Sequence, residues 1–174
     1  ALEKQGQKRL LLVAGEHPVD SNVDYIVEAI GHIYKNSDMR RLNINAAPME
    51  VEDFKKLKEA GIGTYQCFQE TYHRETYKIV HPQGLKSNYD YRITAMDRCM
   101  EAGIDDLGMG VLYGLYDYKF DTIALLQHAD YLETKYGCGP HTISVPRLRP
   151  AHGSAIEEVQ YSLTDEEFKK LVAV

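Results

Sequence analysis

Residues 59–68 read EAGIGTYQCF and residues 101–112 read EAGIDDLGMGVL, so the letters Glu-Ala-Gly-Ile close one apolar-periodic segment and lead into a β-rich one in both places. Glycine suits the end of a helix because it takes the left-handed conformation that closes a last turn without a Cβ clash. Beyond each glycine comes a short β-rich run, Gly63–Phe68 and Asp106–Leu112. A helix stop followed by a strand, written twice in the same letters, is one βα module repeated, and repeated βα modules build a parallel sheet.

Outward from these junctions the alternation continues. Strands are expected at Arg9–Ala14, Arg41–Asn45, Gly63–Phe68, Asp106–Leu112 and His141–Val145, about five in all. Val23, Ile26, Val27, Ile30, Ile33 and Tyr34 repeat at helical spacing behind a cap at Ser21 or Asn22, and Val51, Phe54 and Leu57 do so in the next segment. A third helix is expected after Tyr89 and a fourth over about Lys119–Tyr136, with Gly61, Gly103 and Gly137 as helix stops. The stretch His81–Asn88, holding Pro82, Gly84 and Ser87, reads as a loop. Thr164 and Glu167 form a capping-box pattern ahead of Phe168, Leu171 and Val172, so the chain is expected to end inside a helix, as a fragment would. The expected class is α/β: parallel βα units forming part of a barrel over residues 1–151, then a connector and the start of a further helix over 152–174.

A chain of 174 residues, 44% hydrophobic, has enough apolar surface for one core. Its net charge of −6, with acids spread along the chain, offers no basic patch to a phosphate backbone and excludes nucleic acid as the expected partner. The longest apolar run, around Leu10–Ala14, is too short to span a bilayer, and no secretory pattern opens the chain; a cytoplasmic location is expected. The three cysteines, Cys67, Cys99 and Cys138, lie too far apart for a C-x-x-C or C-x-x-x-C-x-x-C site and read as buried structural residues.

In parallel βα barrels, loops converge and chemistry occurs at the C-terminal ends of the strands. Here those ends carry Gly15-Glu16-His17, then Asn43 and Asn45, then Gln69-Glu70-Thr71-Tyr72, then Tyr113-Gly114, then Thr142 and Ser144 ahead of Arg147 and Arg149. Each has a plain reading: Glu16 a solvated turn residue, Asn45 a helix cap, Glu70 a helix N-terminal acid, Arg92 a surface arginine. Taken in succession, amide, carboxylate, hydroxyl and guanidinium groups fit a site for a polar ligand bearing an amine and a carboxylate.

The strings AGEHP (Ala14–Pro18), QETYH (Gln69–His73) and HTISVPRLRP (His141–Pro150), with the phrase from Ala95 through Asp106 and the segment Gly110–Tyr116, resemble the radical S-adenosylmethionine (SAM) tyrosine lyases in unbroken order from about Leu10 to Ala151. The resemblance implies a radical SAM barrel of TIM type. It also implies a reaction: SAM is cleaved reductively at a [4Fe–4S] cluster, and the resulting radical abstracts hydrogen from L-tyrosine. Cα–Cβ cleavage then gives p-cresol and dehydroglycine. In the [FeFe]-hydrogenase maturase branch, dehydroglycine leads on to carbon monoxide and cyanide for the hydrogenase cofactor, in concert with other hydrogenase maturation proteins. Two branches share these motifs. The run Pro140–Arg147 is similar to the maturase branch, whereas thiamine-pathway tyrosine lyases (2-iminoacetate synthases) usually lack a histidine at the place of His141.

By the same resemblance, Gly15 and Glu16 hold the amino group of SAM, Gln69 and Glu70 its ribose hydroxyls and Arg92 its carboxylate, while Gly110–Gly114 lies along the adenine. Carboxylate and guanidinium suit these tasks, the first accepting from two neighbouring hydroxyls and the second forking onto a carboxylate. Ser144 and Arg147 resemble the anchor of the substrate carboxylate, with Arg149 behind them, and His141 a ligand of the extra iron on an auxiliary cluster. No catalytic residue is assigned within the chain itself. The family's C-x-x-x-C-x-x-C loop and its C-terminal C-x-x-C region do not occur in these residues. The expectation is therefore an inner portion of such an enzyme, inactive alone and prone to self-association through open sheet edges. A thiamine-branch lyase and a cluster-free barrel scaffold are the alternatives.

Overall fold

The computed structural model describes residues 2–151, 156 and 159–174. Five strands, β1 (Arg9–Val13), β2 (Arg41–Asn45), β3 (Ile62–Gln66), β4 (Leu107–Gly110) and β5 (Thr142–Ser144), share one sheet in chain order. The pairs β1–β2, β2–β3 and β3–β4 are parallel. Neighbouring parallel strands require a crossover between them, and each crossover carries helix. These are α1 (Val23–Asn36), then α2 (Val51–Glu59), then α3 (Arg74–Val80), α4 (Tyr89–Ile93) and α5 (Ala95–Glu101) together, then α6 (Tyr118–Tyr136); α7 (Asp165–Val172) follows β5. The α/β class and the five strands are as the sequence predicts, with ends moved by a residue or two. The connector expected from residue 152 lies partly outside the described residues. No helix among the described residues is long and apolar enough to cross a membrane.

Two helical features differ from expectation. The segment after Tyr89 is broken at Thr94 into α4 and α5. Helix α3 was not expected, because its cap is His73, whose imidazole accepts from the Thr76 amide at 3.3 Å, and only Tyr77 on it is buried. Neither a Ser/Thr/Asp/Asn cap nor an apolar stripe marks it.

The chain forms two compact units. The first, Ala1–Cys67 with Thr94–Gly108, contains β1 to β3, α1, α2, α5 and the start of β4. The Asn22 side chain caps α1 by accepting from the Tyr25 amide, and Ile26 and Ile30 below it are buried. Its core joins Leu42, Ile44, Phe54, Leu57, Tyr65, Cys99 and Leu107. Phe54 meets the Tyr65 ring edge-on at 4.7 Å, and the Tyr65 hydroxyl donates to the Ala46 carbonyl at 3.1 Å, so a large ring is buried with its polar end satisfied. The register of β2 against β3 passes from Leu42↔Ile62 to Ile44↔Tyr65, one residue more on β3 than on β2. Asn43 repairs this bulge: its Oδ1 accepts from the Thr64 amide at 3.0 Å. The Arg41 guanidinium, which donates to the same oxygen at 3.3 Å, also pairs with Asp106. Gly63 belongs to the device, since a Cβ there would lie 2.6 Å from Asn43 Oδ1.

The second unit, Phe68–Ile93 with Met109–Val174, contains the loop after β3, α3, α4, the end of β4, α6, β5 and α7. Tyr77, Val111, Tyr113, Leu125 and Leu132 are its most deeply buried apolar side chains. Asp117 caps α6 by accepting from the Phe120 amide, Gly137 closes it at φ +77°, and Thr164 with Glu167 forms the expected capping box on α7. At Gly110 a Cβ would stand 2.7 Å from the Ser144 carbonyl, so the two backbones approach as only glycine permits.

Truncating Phe54 to Ala should cost about 3–5 kcal/mol of unfolding free energy, while Tyr65→Phe should cost about 1 kcal/mol, both read by urea titration. Gly110→Ala should destabilise more than an alanine at exposed Gly31, where nothing lies within 4 Å of the added carbon; equal midpoints would refute the close approach.

Candidate functional site

Beyond β3 the backbone keeps to β4 for a few residues more. The Gln69 amide donates to the Gly110 carbonyl at 2.9 Å, and the Glu70 carbonyl accepts from the Leu112 amide at 2.8 Å. Between these bonds the chain does something unusual: Glu70 stands at φ +71°, the single non-glycine residue with positive φ among the described residues. A side chain in that region costs on the order of 1–3 kcal/mol and persists only where its surroundings fix it.

What the turn delivers is a carboxylate, 14% exposed, between two cations. Lys86 Nζ lies 2.6 Å and Arg92 Nη2 3.6 Å from the same Glu70 oxygen, Oε1. Arg92 sits on α4 but is buried, and its Nε donates to the Phe68 carbonyl at 2.7 Å. The surface reading of this arginine is thereby set aside. Lys86 lies in the 3-10 turn Leu85–Ser87, where the Tyr77 hydroxyl fixes its carbonyl at 2.6 Å. Beside them His81 is held below the usual imidazole range by burial, with Lys86 adding to the effect.

Gln69 completes the group. It is buried, and its Nε2 has no hydrogen-bond partner. A dry, unused amide donor costs about 1–3 kcal/mol and is the kind of cost a ligand acceptor removes. Two cations, Lys86 and Arg92, stand against the Glu70 carboxylate. Such a group can take hydroxyls on Gln69 and Glu70 and a carboxylate on the cations.

The loop is gripped from its other side by Asp121, in the first turn of α6. This carboxylate is 0% exposed; it accepts from the Tyr72 amide at 2.7 Å and, on both oxygens, from the Thr71 hydroxyl at 3.0 Å. Burial pushes its pKa above the usual carboxylate range, against the pull of those bonds. A carboxyl raised in the folded state binds protons there more tightly than in the unfolded chain, so its contribution is complete at low pH and declines as pH rises through the raised value.

The other nominated residues belong to other strand ends. Gly15 and Glu16 follow β1 in the first unit, Gly15 exposed and Glu16 half-buried. Ser144 closes β5, half-buried. Arg147 is bridged to Tyr113 in parallel fashion; its Nη1 donates to Asp165 at 2.7 Å, and its guanidinium lies 4.3 Å from the Phe168 ring centre. Asp165, 82% exposed and held below the usual carboxylate range by Arg147, is a partner that a stronger carboxylate ligand can displace. Arg149 and His141 are exposed. The structure therefore joins Glu70 and Arg92, with Gln69 beside Glu70 in the chain. It adds Lys86, which the sequence presents only as a loop lysine, and Asp121, which it presents only as a helical position.

A sheet of repeated parallel βα units, with two cations, a carboxylate and an unpartnered amide donor beyond a strand's C-terminal end, makes a βα domain of the kind that holds charged cofactors. Residues 1–129 match the radical SAM superfamily, and the chain belongs to it. It is similar to the crystal structure of HydG, a maturase of the [FeFe]-hydrogenase, at 61% identity and a TM-score of 0.95, over 99% of this chain and 39% of that one. The FeFe-hydrogenase maturase HydG from Carboxydothermus hydrogenoformans follows at 47% identity and a TM-score of 0.94, over 98% and 40%. The 2-iminoacetate synthase of Escherichia coli (strain K12) is 32% identical over 154 residues, 88% of this chain and 40% of that protein. The chain thus spans about 40% of the length of the relatives it matches.

Members of this superfamily use SAM and a [4Fe–4S] cluster. The residues present fit the first: the orphaned Gln69 amide and the Glu70 carboxylate suit a ribose diol, and Arg92 with Lys86 suits an amino-acid carboxylate. They do not form a seat for the second. Cys67 and Cys99 are buried, burial pushes the Cys99 thiol far up, and no group of three His, Cys, Asp or Glu side chains among the described residues is placed to hold a metal.

Because Glu70 is strained, Glu70→Gly should be more stable than Glu70→Ala by about 1 kcal/mol, although both lose the same carboxylate. Matching urea midpoints for the two variants would show the positive φ to be free of strain.

Proposed function

We propose that this chain is the SAM- and substrate-binding portion of a radical SAM lyase that cleaves the Cα–Cβ bond of L-tyrosine to p-cresol and dehydroglycine, leading to carbon monoxide and cyanide for [FeFe]-hydrogenase cofactor assembly. The observation that carries the reading is the likeness to the two maturases, 61% and 47% identical over nearly the whole chain, against 32% for the 2-iminoacetate synthase. The cluster around Glu70 agrees with it. Glu70 and Gln69 take the ribose of SAM, Arg92 its carboxylate, and Gly15 with Glu16 its amino group. SAM, held by these residues, would supply the radical chemistry of the reaction. The chain's own residues bind and orient. Ser144 and Arg147 receive the tyrosine carboxylate, which takes the place of Asp165 on the guanidinium. His141 would supply an imidazole ligand to the extra iron of the auxiliary cluster. On this reading residues 1–151 are the partial barrel, and 152–174 are a connector and the start of a further helix. The enzyme works in the cytoplasm alongside other hydrogenase maturation proteins, and the isolated chain pairs with copies of itself through its sheet edges.

The thiamine-branch reading predicts the same cleavage without iron-bound carbon monoxide, so infrared spectroscopy of the complete enzyme separates the two. Arg147→Ala in that enzyme should depress tyrosine turnover by at least about tenfold more than SAM cleavage without substrate, the loss expected for a charge-assisted anchor; equal losses would make Arg147 structural. His141→Ala should leave p-cresol formation intact and lower carbon monoxide output. Unchanged carbon monoxide would remove His141 from the iron site.

A further inference from the structure

The turn that presents Glu70 is held from two directions, and the proposed ribose contact uses only one of its faces. In front, the Gln69 amide and Glu70 carbonyl are bonded to Gly110 and Leu112. Behind, Thr71 and Tyr72 are bonded to Asp121, and Thr71 Oγ1 also accepts from the His73 amide at 3.1 Å. The residues on either side of the left-handed position are thus fixed while Glu70 itself is left to bear the strain.

An acid in the first turn of a helix needs no such arrangement. It would interact with the helix dipole from an exposed position, with water on its oxygens. Asp121 is instead wholly buried and directs both oxygens at a neighbouring loop, at the expense of desolvating a carboxylate. Its two oxygens accept from both residues that follow Glu70, which is what a strained turn requires of its clamp. Its base is firm: α6 runs 19 residues and is capped by Asp117.

We infer that Asp121, acting through Thr71 and Tyr72, is a positioning residue that holds the Glu70 carboxylate in place for the ribose hydroxyls of SAM. The inference rests on the assignment of Glu70 to that ribose. Asp121 touches neither cofactor nor substrate; it sets the backbone from which the acceptor projects.

The test is a double-mutant cycle in the complete enzyme with its cluster assembled, read by equilibrium binding of SAM and, separately, of L-tyrosine. Asp121→Asn keeps the shape and removes the charge; Thr71→Val keeps the shape and removes the hydroxyl, and it serves if the first variant fails to fold. Each should weaken SAM binding about tenfold, the order expected from losing buried hydrogen bonds at one remove, and leave tyrosine binding within about twofold. In a Glu70→Gln background neither should weaken SAM further. Additive losses in that background would show that Asp121 does not act through Glu70. So would undiminished SAM affinity in both single variants while Glu70→Gln alone is weakened. If Glu70→Gln binds SAM as tightly as the unaltered enzyme, it is the ribose assignment that fails, a distinct result.

Discussion

A residue with a side chain held at a positive φ needs neighbours that fix it more firmly than its own preference resists, and the candidate site depends on that condition at Glu70. The bonds to Gly110 and Leu112 continue the parallel pairing past the end of β3; those from Thr71 and Tyr72 tie the next residues to α6. Between them they turn one carboxylate out of the strand's alternation and set it against Lys86 and Arg92. Release of either tie would let Glu70 return to extended backbone and carry its carboxylate off the cations.

The electrostatics follow from the same placement. Glu70 stands against two cations, Lys86 and Arg92, so donors for a carboxylate and an acceptor for hydroxyls share one place. The unpartnered Gln69 amide is the complementary half. Arg147 obeys the opposite logic, since its partner Asp165 is exposed and easily exchanged.

Much of the fold was legible because it is written in local chemistry. The repeated Glu-Ala-Gly-Ile marks two helix-to-strand junctions, and Gly61, Gly103 and Gly137 do stand at positive φ. Asn22 and Thr164 are caps because short polar side chains reach amide groups that a helix leaves unbonded. The illegible parts each lack such a local signal. Helix α3 is capped by a histidine, and the bulge opposite Asn43 is a property of a strand pair rather than of a strand. Gln69, Glu70 and Arg92 could be nominated from strand-end position and resemblance, but apolar periodicity carries no sign of φ, so the left-handed turn at Glu70 was invisible. Lys86 lies 16 residues along the chain from the carboxylate it meets and Asp121 lies 50 from Thr71, and nothing in spacing alone brings such partners together.

The bulge between β2 and β3 bears on how this chain tolerates change. Side chains on a strand point alternately to two faces, so an inserted residue reverses the parity of everything after it. Because β3 carries the extra residue before Tyr65, that ring points to the layer that holds Phe54, and Gln66 lies on the side of Gly108. Loss of one residue at Gly63 or Thr64 would leave every later side chain of the strand chemically intact yet facing the wrong layer. Insertions and deletions here are therefore changes of address, while most substitutions are only changes of occupant.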